Sequence, residues 1–426
     1  MRKIALTGLA ALAMMVGGVA HASAAVNPAP ARPAAASATA AVSATAAVSA
    51  PSATTANTSV SGSRVSCGSA KSCLVVSQNT DSAGNSVPVA SDWNGTGWKM
   101  LAVPLPRGAS GALNGVSCKQ ASCLAIGNYS TKTGNYLFAL RWNGKTLTRV
   151  AAPPKPAGAS DTTLGDVSCV TASSCVVIGS ATTAAGTTRA VVDTWNGVKW
   201  TMRTAALPAS VLEADFAGLS CVSASHCVAG GLGLWGSLAS GSFIPGPLLA
   251  SWNGSTVTTA KAPAPKGAGF QMITDVSCVS ATSCAATGFG GSASGSTTYG
   301  FTDVLAGKAW KTTAVAWPRG PASTGLLGVS CTSTRSCVAV GAVGMAASST
   351  GDTGNAAALS YNGTTWTVQK NVPGPGRGNA SMFGGVSCVT ATYCVASGLT
   401  GKAGGNAAVP LTGVWNGKSW KLFRLP

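Results

Sequence analysis

Acidic side chains are nearly missing from this chain. Its 426 residues hold 10 Asp and Glu together against 28 Lys and Arg, and Glu213 is the single glutamate. Histidine is scarcer still, with only His21 and His226. General acid–base chemistry relies on paired carboxylates or a histidine, and metal sites draw on the same side chains. The shortage therefore argues against a hydrolytic centre and against a metal site. No nucleophile motif, phosphate loop or EF-hand pattern is present either. Long apolar runs are also lacking: beyond residue 20, none approaches the ~20 residues of a membrane-spanning helix. The expectation is a protein with no catalytic group, no metal and no cofactor.

What the chain does have begins with an export signal. "MRK" is a short basic start, "IALTGLAALAMMVGGVA" (4–20) an apolar stretch, and "AHA" and "ASA" (20–24) offer small-residue cleavage sites. Residues 1–24 read as a signal peptide. Residues 25–62 are rich in Ala, Ser, Thr and Pro and include the tandem "SATAAVSATAAVSA" (37–50). Such a segment cannot bury a core and reads as a disordered tether. The mature protein is expected outside the cell, held near the cell wall, with no transmembrane segment. Its basic excess favours anionic polymers. Export and the absence of a recognised motif argue against nucleic acid.

Residues 63–426 are repetitive. Cysteines open a small loop at positions 67, 118, 169, 221, 278, 331 and 388, and close it at 73, 123, 175, 227, 284, 337 and 394. Each loop is followed by a β-rich run such as "CVVIG" (175–179), closed by Gly in six units and by Ser77 in the first. A variable loop comes next, then a hairpin such as "WNGTGW" (93–98), with Asn-Gly in six units and "AGKAW" (306–310) in the fifth. A Pro-rich link leads into the next unit. Four short strands per roughly 52 residues, seven times over, predict an all-β fold: a seven-bladed β-propeller of four-stranded blades. The first unit opens on an inner strand and the last ends on an outer one, so closure of the ring needs no strand exchange unless part of 53–62 adds a strand.

The grammar "LxGVSC…CVAVG…WNGxxW" resembles the propeller repeats of secreted actinobacterial proteins. More distantly, it is similar to photosystem II assembly-factor propellers and to sialidase-type Asp-box propellers. The likeness spans all seven units and implies their fold. Two departures, cysteines in the first hairpin and Asn-Gly in place of the Asp-containing turn, mean that neither a sialidase nor an assembly function carries over.

Cysteines five or six positions apart around a short turn lie opposite each other within disulfide reach, and an exported chain with an even cysteine count is expected to be oxidised. One disulfide per blade follows: Cys67–Cys73, Cys118–Cys123, Cys169–Cys175, Cys221–Cys227, Cys278–Cys284, Cys331–Cys337 and Cys388–Cys394. Asn-Gly favours a two-residue turn, which would pair Trp93 with Thr96 and make Trp93 and Trp98 diagonal neighbours. Their repetition reads as packing between blades rather than as sugar platforms.

Candidate binding residues come from departures from the repeat. The links between blades carry Arg107, Lys155, Lys266, Arg319 and Arg377, a broken ring of cations on one face. Lys99, Lys145, Lys199 and Lys418 fall near the hairpins on the opposite side. In the fourth unit, "SVLEADF" (210–216) brings Glu213 and Asp215 into a link, and an enlarged loop (231–247) exposes Trp235 and Phe243. The leading functional reading is a monomeric, secreted, non-catalytic propeller that binds a cell-wall or extracellular glycan or anionic polymer. The alternatives are a glycosidase or lyase on the propeller face, and a scaffold for a protein partner.

Overall fold

A computed structural model of the chain describes residues 61–425, apart from 82, 238–241, 264, 266–267, 293–297, 308, 316–322, 347–352, 375, 377–378 and 403–407. The segments read as signal peptide and tether fall outside the described residues, except that the first strand begins at Ser61.

The fold is all-β. Seven four-stranded antiparallel sheets follow one another, each with its strands in simple sequential order. The blades cover 61–101, 110–150, 159–206, 211–261, 268–314, 324–368 and 379–424. The first strands pack side by side around a central channel, and that of blade 1 lies against that of blade 7. The second strands explain the unbroken apolar runs of the sequence. Leu74, Val75 and Val76 are all at most 1% exposed, because each blade is sandwiched between two others and both faces of its sheet are buried.

The conserved grammar has a steric cause. In blades 2 to 7 the first strand bulges, skipping one residue (Asn114, Gly165, Ala217, Thr274, Leu327 or Gly384). The bulge drives a first-strand carbonyl against the residue that closes the second-strand run. A Cβ on Gly127 would come 2.0 Å from the Ala112 carbonyl oxygen, and one on Gly341 1.9 Å from that of Gly325. Only glycine fits there. In blade 1 the irregularity lies one residue earlier, between Ser61 and Ser63, and Ser77 takes the glycine's place.

The serine of each "SC" pair holds neighbouring blades together. Its hydroxyl oxygen accepts a hydrogen bond from the backbone N–H of the first cysteine of the next blade: Cys118 to Ser66 at 2.9 Å, Cys169 to Ser117 at 2.9 Å, Cys221 to Ser168 at 3.0 Å and Cys278 to Ser220 at 2.8 Å. Cys331 to Ser277 and Cys388 to Ser330, each at 2.9 Å, continue the series, and Cys67 to Ser387 at 3.0 Å closes it. Blade 7 thus meets blade 1 through the same contact as every other pair, with no exchanged strand among the described residues. Trp93 Nε1 also donates to Tyr393 Oη across this seam, at 3.0 Å. Ser330→Ala should cost about 1–2 kcal/mol, because it strands the Cys388 N–H at a blade interface. A urea midpoint unchanged from wild type would show that the serine holds nothing.

All seven cysteine pairs are disulfides, one in each blade, and none of the described cysteines is free. Their two cysteines face each other in register, as Cys67 and Cys73 do. The outer hairpin differs from the two-residue turn expected. Trp93 pairs directly with Trp98, enclosing a four-residue loop, and the ring centroids lie 5.3 Å apart. The asparagine does not take positive φ; the glycine alone does, at 98° for Gly95. Asn94 instead turns its side chain inward, where Oδ1 accepts from the N–H groups of Thr96 and Gly97, each at 2.9 Å. That side-chain turn competes with the Asn-Gly backbone turn and wins. The first tryptophan is core in four blades, with Trp93, Trp142, Trp195 and Trp252 at most 5% exposed.

Candidate functional site

A propeller with sequential strands has two unlike ends. The links between blades and the turns joining second to third strands lie at one end. The disulfide loops and the outer hairpins lie at the other.

At the link end, Arg107 and Lys155 are exposed, and Lys155 Nζ donates to the Asn135 carbonyl. Lys266, Arg319 and Arg377, the rest of the expected ring, lie outside the described residues. Blade 4 departs from the sequence reading. Glu213 and Asp215 do not sit in a link but within the first strand (Val211–Ser223), paired with Leu234 and Leu232. Both are exposed. The enlarged loop is mostly a hairpin: the second strand runs to Ser237 and the third starts at Ser242. The ladder continues through Gly233 opposite Gly246 and Trp235 opposite Ile244 to Ser237 opposite Ser242. Trp235 is not fully exposed by this hairpin. It lies half-buried over the glycines of the ladder, where a Cβ on Gly246 would meet its Cδ1 at 3.0 Å. Its Nε1 reaches the Gly246 carbonyl at 3.4 Å, and Lys261 Nζ sits 5.6 Å from its ring centroid. Phe243 is half-buried, and its neighbour Ile244 is 56% exposed.

The channel holds a charged group that the sequence reading missed. Three residues before the first cysteine, the blades carry in order Arg64, Gly115, Asp166, Gly218, Asp275, Gly328 and Gly385. Arg64 reaches across from blade 1 to blade 4, where its guanidinium donates to the Ala217 carbonyl at 2.8 Å. Asp166 accepts from the Leu219 N–H of the next blade at 3.0 Å, and Asp275 from that of Val329 at 2.9 Å. Both aspartates are half-buried, with their carboxyl groups set among protein atoms. Burial raises Asp166 to about 7, with Arg64 opposing the shift and Asp275 adding to it. Burial raises Asp275 to about 6, again opposed by Arg64. The glycines beside them leave room: a Cβ on Gly115 would lie 2.6 Å from Asp166 Oδ1. One signal was available in the sequence. This is the only position of the "VSC" motif where charge replaces glycine.

Two further aspartates, Asp193 and Asp303, have no exposed surface, and neither carboxyl oxygen of Asp193 makes a hydrogen bond. Burial pushes Asp193 up to about 7 and Asp303 to about 6, the latter opposed by the neighbouring Thr312 hydroxyl. His226 lies exposed in the blade 4 disulfide loop, where its Nδ1 faces Ser223 Oγ at 3.2 Å and Ser225 Oγ at 3.3 Å. Among the described residues, no three His, Cys, Asp or Glu side chains gather as metal ligands.

No protein-family model matches the chain, and no curated protein sequence matches it. Solved structures match throughout the propeller. A ulvan polysaccharide lyase aligns over 86% of this chain and 96% of its own, with TM-score 0.55 and 6% identity. YCF48 bound to a D1 peptide aligns over 83% and 95%, at TM-score 0.47 and 12% identity. A fucose-specific lectin from Aleuria aurantia aligns over 74% and 95%, at TM-score 0.42 and 9% identity. At these identities the likeness is one of fold. Seven disulfides fit an oxidising, extracellular setting, and among the described residues no helix is long and apolar enough to cross a membrane.

Proposed function

We propose that the chain is an exported, non-catalytic binding propeller whose ligand is an anionic polymer or acidic glycan of the cell envelope. The sorting of charge carries this reading. Of the ten acidic residues, Asp166 and Asp275 are enclosed in the channel and Asp193 and Asp303 are fully buried. Among the described residues the cations, other than Arg64 and the half-buried Arg141, are exposed among a surface of hydroxyls and amides. The exterior is therefore more basic than the formal net charge of +18 conveys. Long-range attraction to polyanions follows from such a surface. The channel carboxylates are already engaged by backbone N–H groups and Arg64, which leaves them poorly suited to acid–base work. Ligand-binding propellers and a lyase share the architecture, so the fold itself does not choose between binding and catalysis.

The test is co-sedimentation of the oxidised protein with purified cell wall and insoluble acidic polysaccharide at low and high salt. Chain scission is followed in the same tubes. The expected outcome is capture that weakens with salt, with no new reducing or unsaturated ends. Absence of capture at low salt would sink the reading. Scission that disappears in Glu213→Gln or Asp215→Asn would replace it with an enzyme.

A further inference from the structure

The exposed charge is not spread evenly between the two ends of the propeller. At the disulfide-loop and hairpin end, Lys71, Lys119 and Arg335 project from the disulfide loops. Lys145, Lys199 and Lys418 sit in the outer four-residue turns, and Lys99 follows the Trp98 that closes another. All seven are exposed. Among the described residues this end has a single carboxylate, Asp92, half-buried and paired across the hairpin with Lys99. Among the described residues the link end holds Asp81, Asp161, Glu213 and Asp215 beside Arg107, Lys155, Arg189, Lys261, Lys402 and Lys132, the last in the turn between the second and third strands of blade 2.

The backbone that carries these cations is well held. Asn143 Oδ1 accepts from the Lys145 N–H at 3.0 Å, Asn196 Oδ1 from Lys199 at 2.9 Å, and Asn416 Oδ1 from Lys418 at 2.9 Å. In six of the seven blades, blade 5 being the exception, the disulfide loop leans on its own blade's hairpin glycine. A Cβ on Gly95 would lie 2.9 Å from Lys71 Cγ, and one on Gly363 2.7 Å from Arg335 Cγ. The aliphatic stems of Lys71 and Arg335 therefore lie along the hairpins and leave their charged heads at the surface. Hydroxyls fill the equivalent turn positions elsewhere, at Thr96, Ser255 and Thr364. Each of these three residues donates its own N–H to the turn asparagine.

We infer that this disulfide-and-hairpin face, and not the link face, is the docking surface, and that it takes a linear acidic polysaccharide. The inference rests on the functional reading above and adds to it the face and the ligand class. Cations placed blade by blade, in blades 1, 2, 3, 6 and 7, do not converge on one anionic group. They match a chain whose negative charges repeat along its length. Lysine predominates, a point charge that accepts carboxylate or sulfate without fixed geometry. The hydroxyls between the cations are partners for sugar hydroxyls. Disulfides and asparagine turns fix the loops in advance, which lowers the ordering cost of binding.

Two triple variants of equal charge change separate the faces: Lys99→Glu/Lys145→Glu/Lys418→Glu, and Arg107→Glu/Lys132→Glu/Lys155→Glu. Binding of the full oxidised chain to immobilised polygalacturonate is measured at low salt, with dextran as the neutral control, and circular dichroism checks the fold. The hairpin-face variant should bind about tenfold more weakly or worse, and the link-face variant should stay within about threefold of wild type. If the hairpin-face variant loses its fold, the corresponding Lys→Gln triple should show a smaller loss in the same direction. Loss confined to the link-face variant would overturn the assignment of the face while leaving polymer binding intact. Equal capture by dextran would overturn the acidic ligand. No capture of polygalacturonate by wild type would remove this inference, whereas capture of cell wall in the earlier test would still preserve the broader reading.

Discussion

Asp193→Leu should stabilise the protein at pH 8 by about 3–4 kcal/mol and change it little at pH 4.5. Asp193 lies inside the interface between blades 2 and 3, opposite Val177 in the ladder and two residues before the buried Trp195. Its carboxyl has neither exposed surface nor a hydrogen bond. With burial holding it near 7 in the folded state against about 3.9 unfolded, the folded protein retains a proton that the unfolded chain releases between those values. Its contribution is intact below about pH 4 and is lost as pH rises through 7, about 1.4 kcal/mol for each unit of displacement. Leucine fits the site on the protein's own terms, since Leu140 and Leu359 occupy the same strand position in blades 2 and 6 and are fully buried. Urea unfolding of both proteins at the two pH values checks this. A gain of equal size at both would mean that packing, and not ionisation, sets the effect. Nothing in the structure explains why an aspartate stands there.

Arg64→Met should have the opposite sign, a loss of about 3–5 kcal/mol at pH 8, the range for removing one partner of a buried charge group. Arg64 opposes the upward shift of both Asp166 and Asp275. Without it, two carboxylates that already repel each other lose their counter-charge inside the channel. Both have raised folded-state values, near 7 and near 6. The added penalty is therefore absent at pH 4, where both carboxyls are protonated in the folded protein with or without Arg64, and grows as pH rises through that window. At acid pH only the hydrogen bond to the Ala217 carbonyl is lost, about 1 kcal/mol. Adding Asp166→Asn and Asp275→Asn to Arg64→Met should recover most of the loss at pH 8. A pH-independent loss would assign the role of Arg64 to that hydrogen bond and to packing. Together the two variants predict that the wild-type protein loses stability as pH rises from about 4 through 7.

Much of the architecture is written in short, repeated stretches. The disulfides were legible because a loop of five or six residues can pair its cysteines only locally, and the blade count because the same grammar recurs seven times. The glycine after "CVAV" and the tryptophan hairpins also recur, and repetition marks positions that serve packing. The hairpin register was not legible. Asn-Gly is compatible with both a two-residue turn and a side-chain-capped four-residue turn, and only the pairing of Trp93 with Trp98 distinguishes them. Blade 4 misled for a related reason: Gly- and Ser-rich sequence reads as loop until a partner strand is seen opposite it.

Sequence alone determined the period, the disulfide pairing, the four strands per blade and the scarcity of acids, because each of these is set within a single unit or by composition. Tertiary structure decided everything that joins one unit to another. The serine clasps link positions about one blade apart in sequence, Arg64 meets a carbonyl 153 residues away, and the aspartates are buried only once neighbouring blades close over them. The two faces of the ring likewise acquire their separate charges only when seven hairpins are brought to one end. No local pattern encodes which distant residues will be neighbours, and in a closed ring those neighbours settle where charge is hidden and where it is shown.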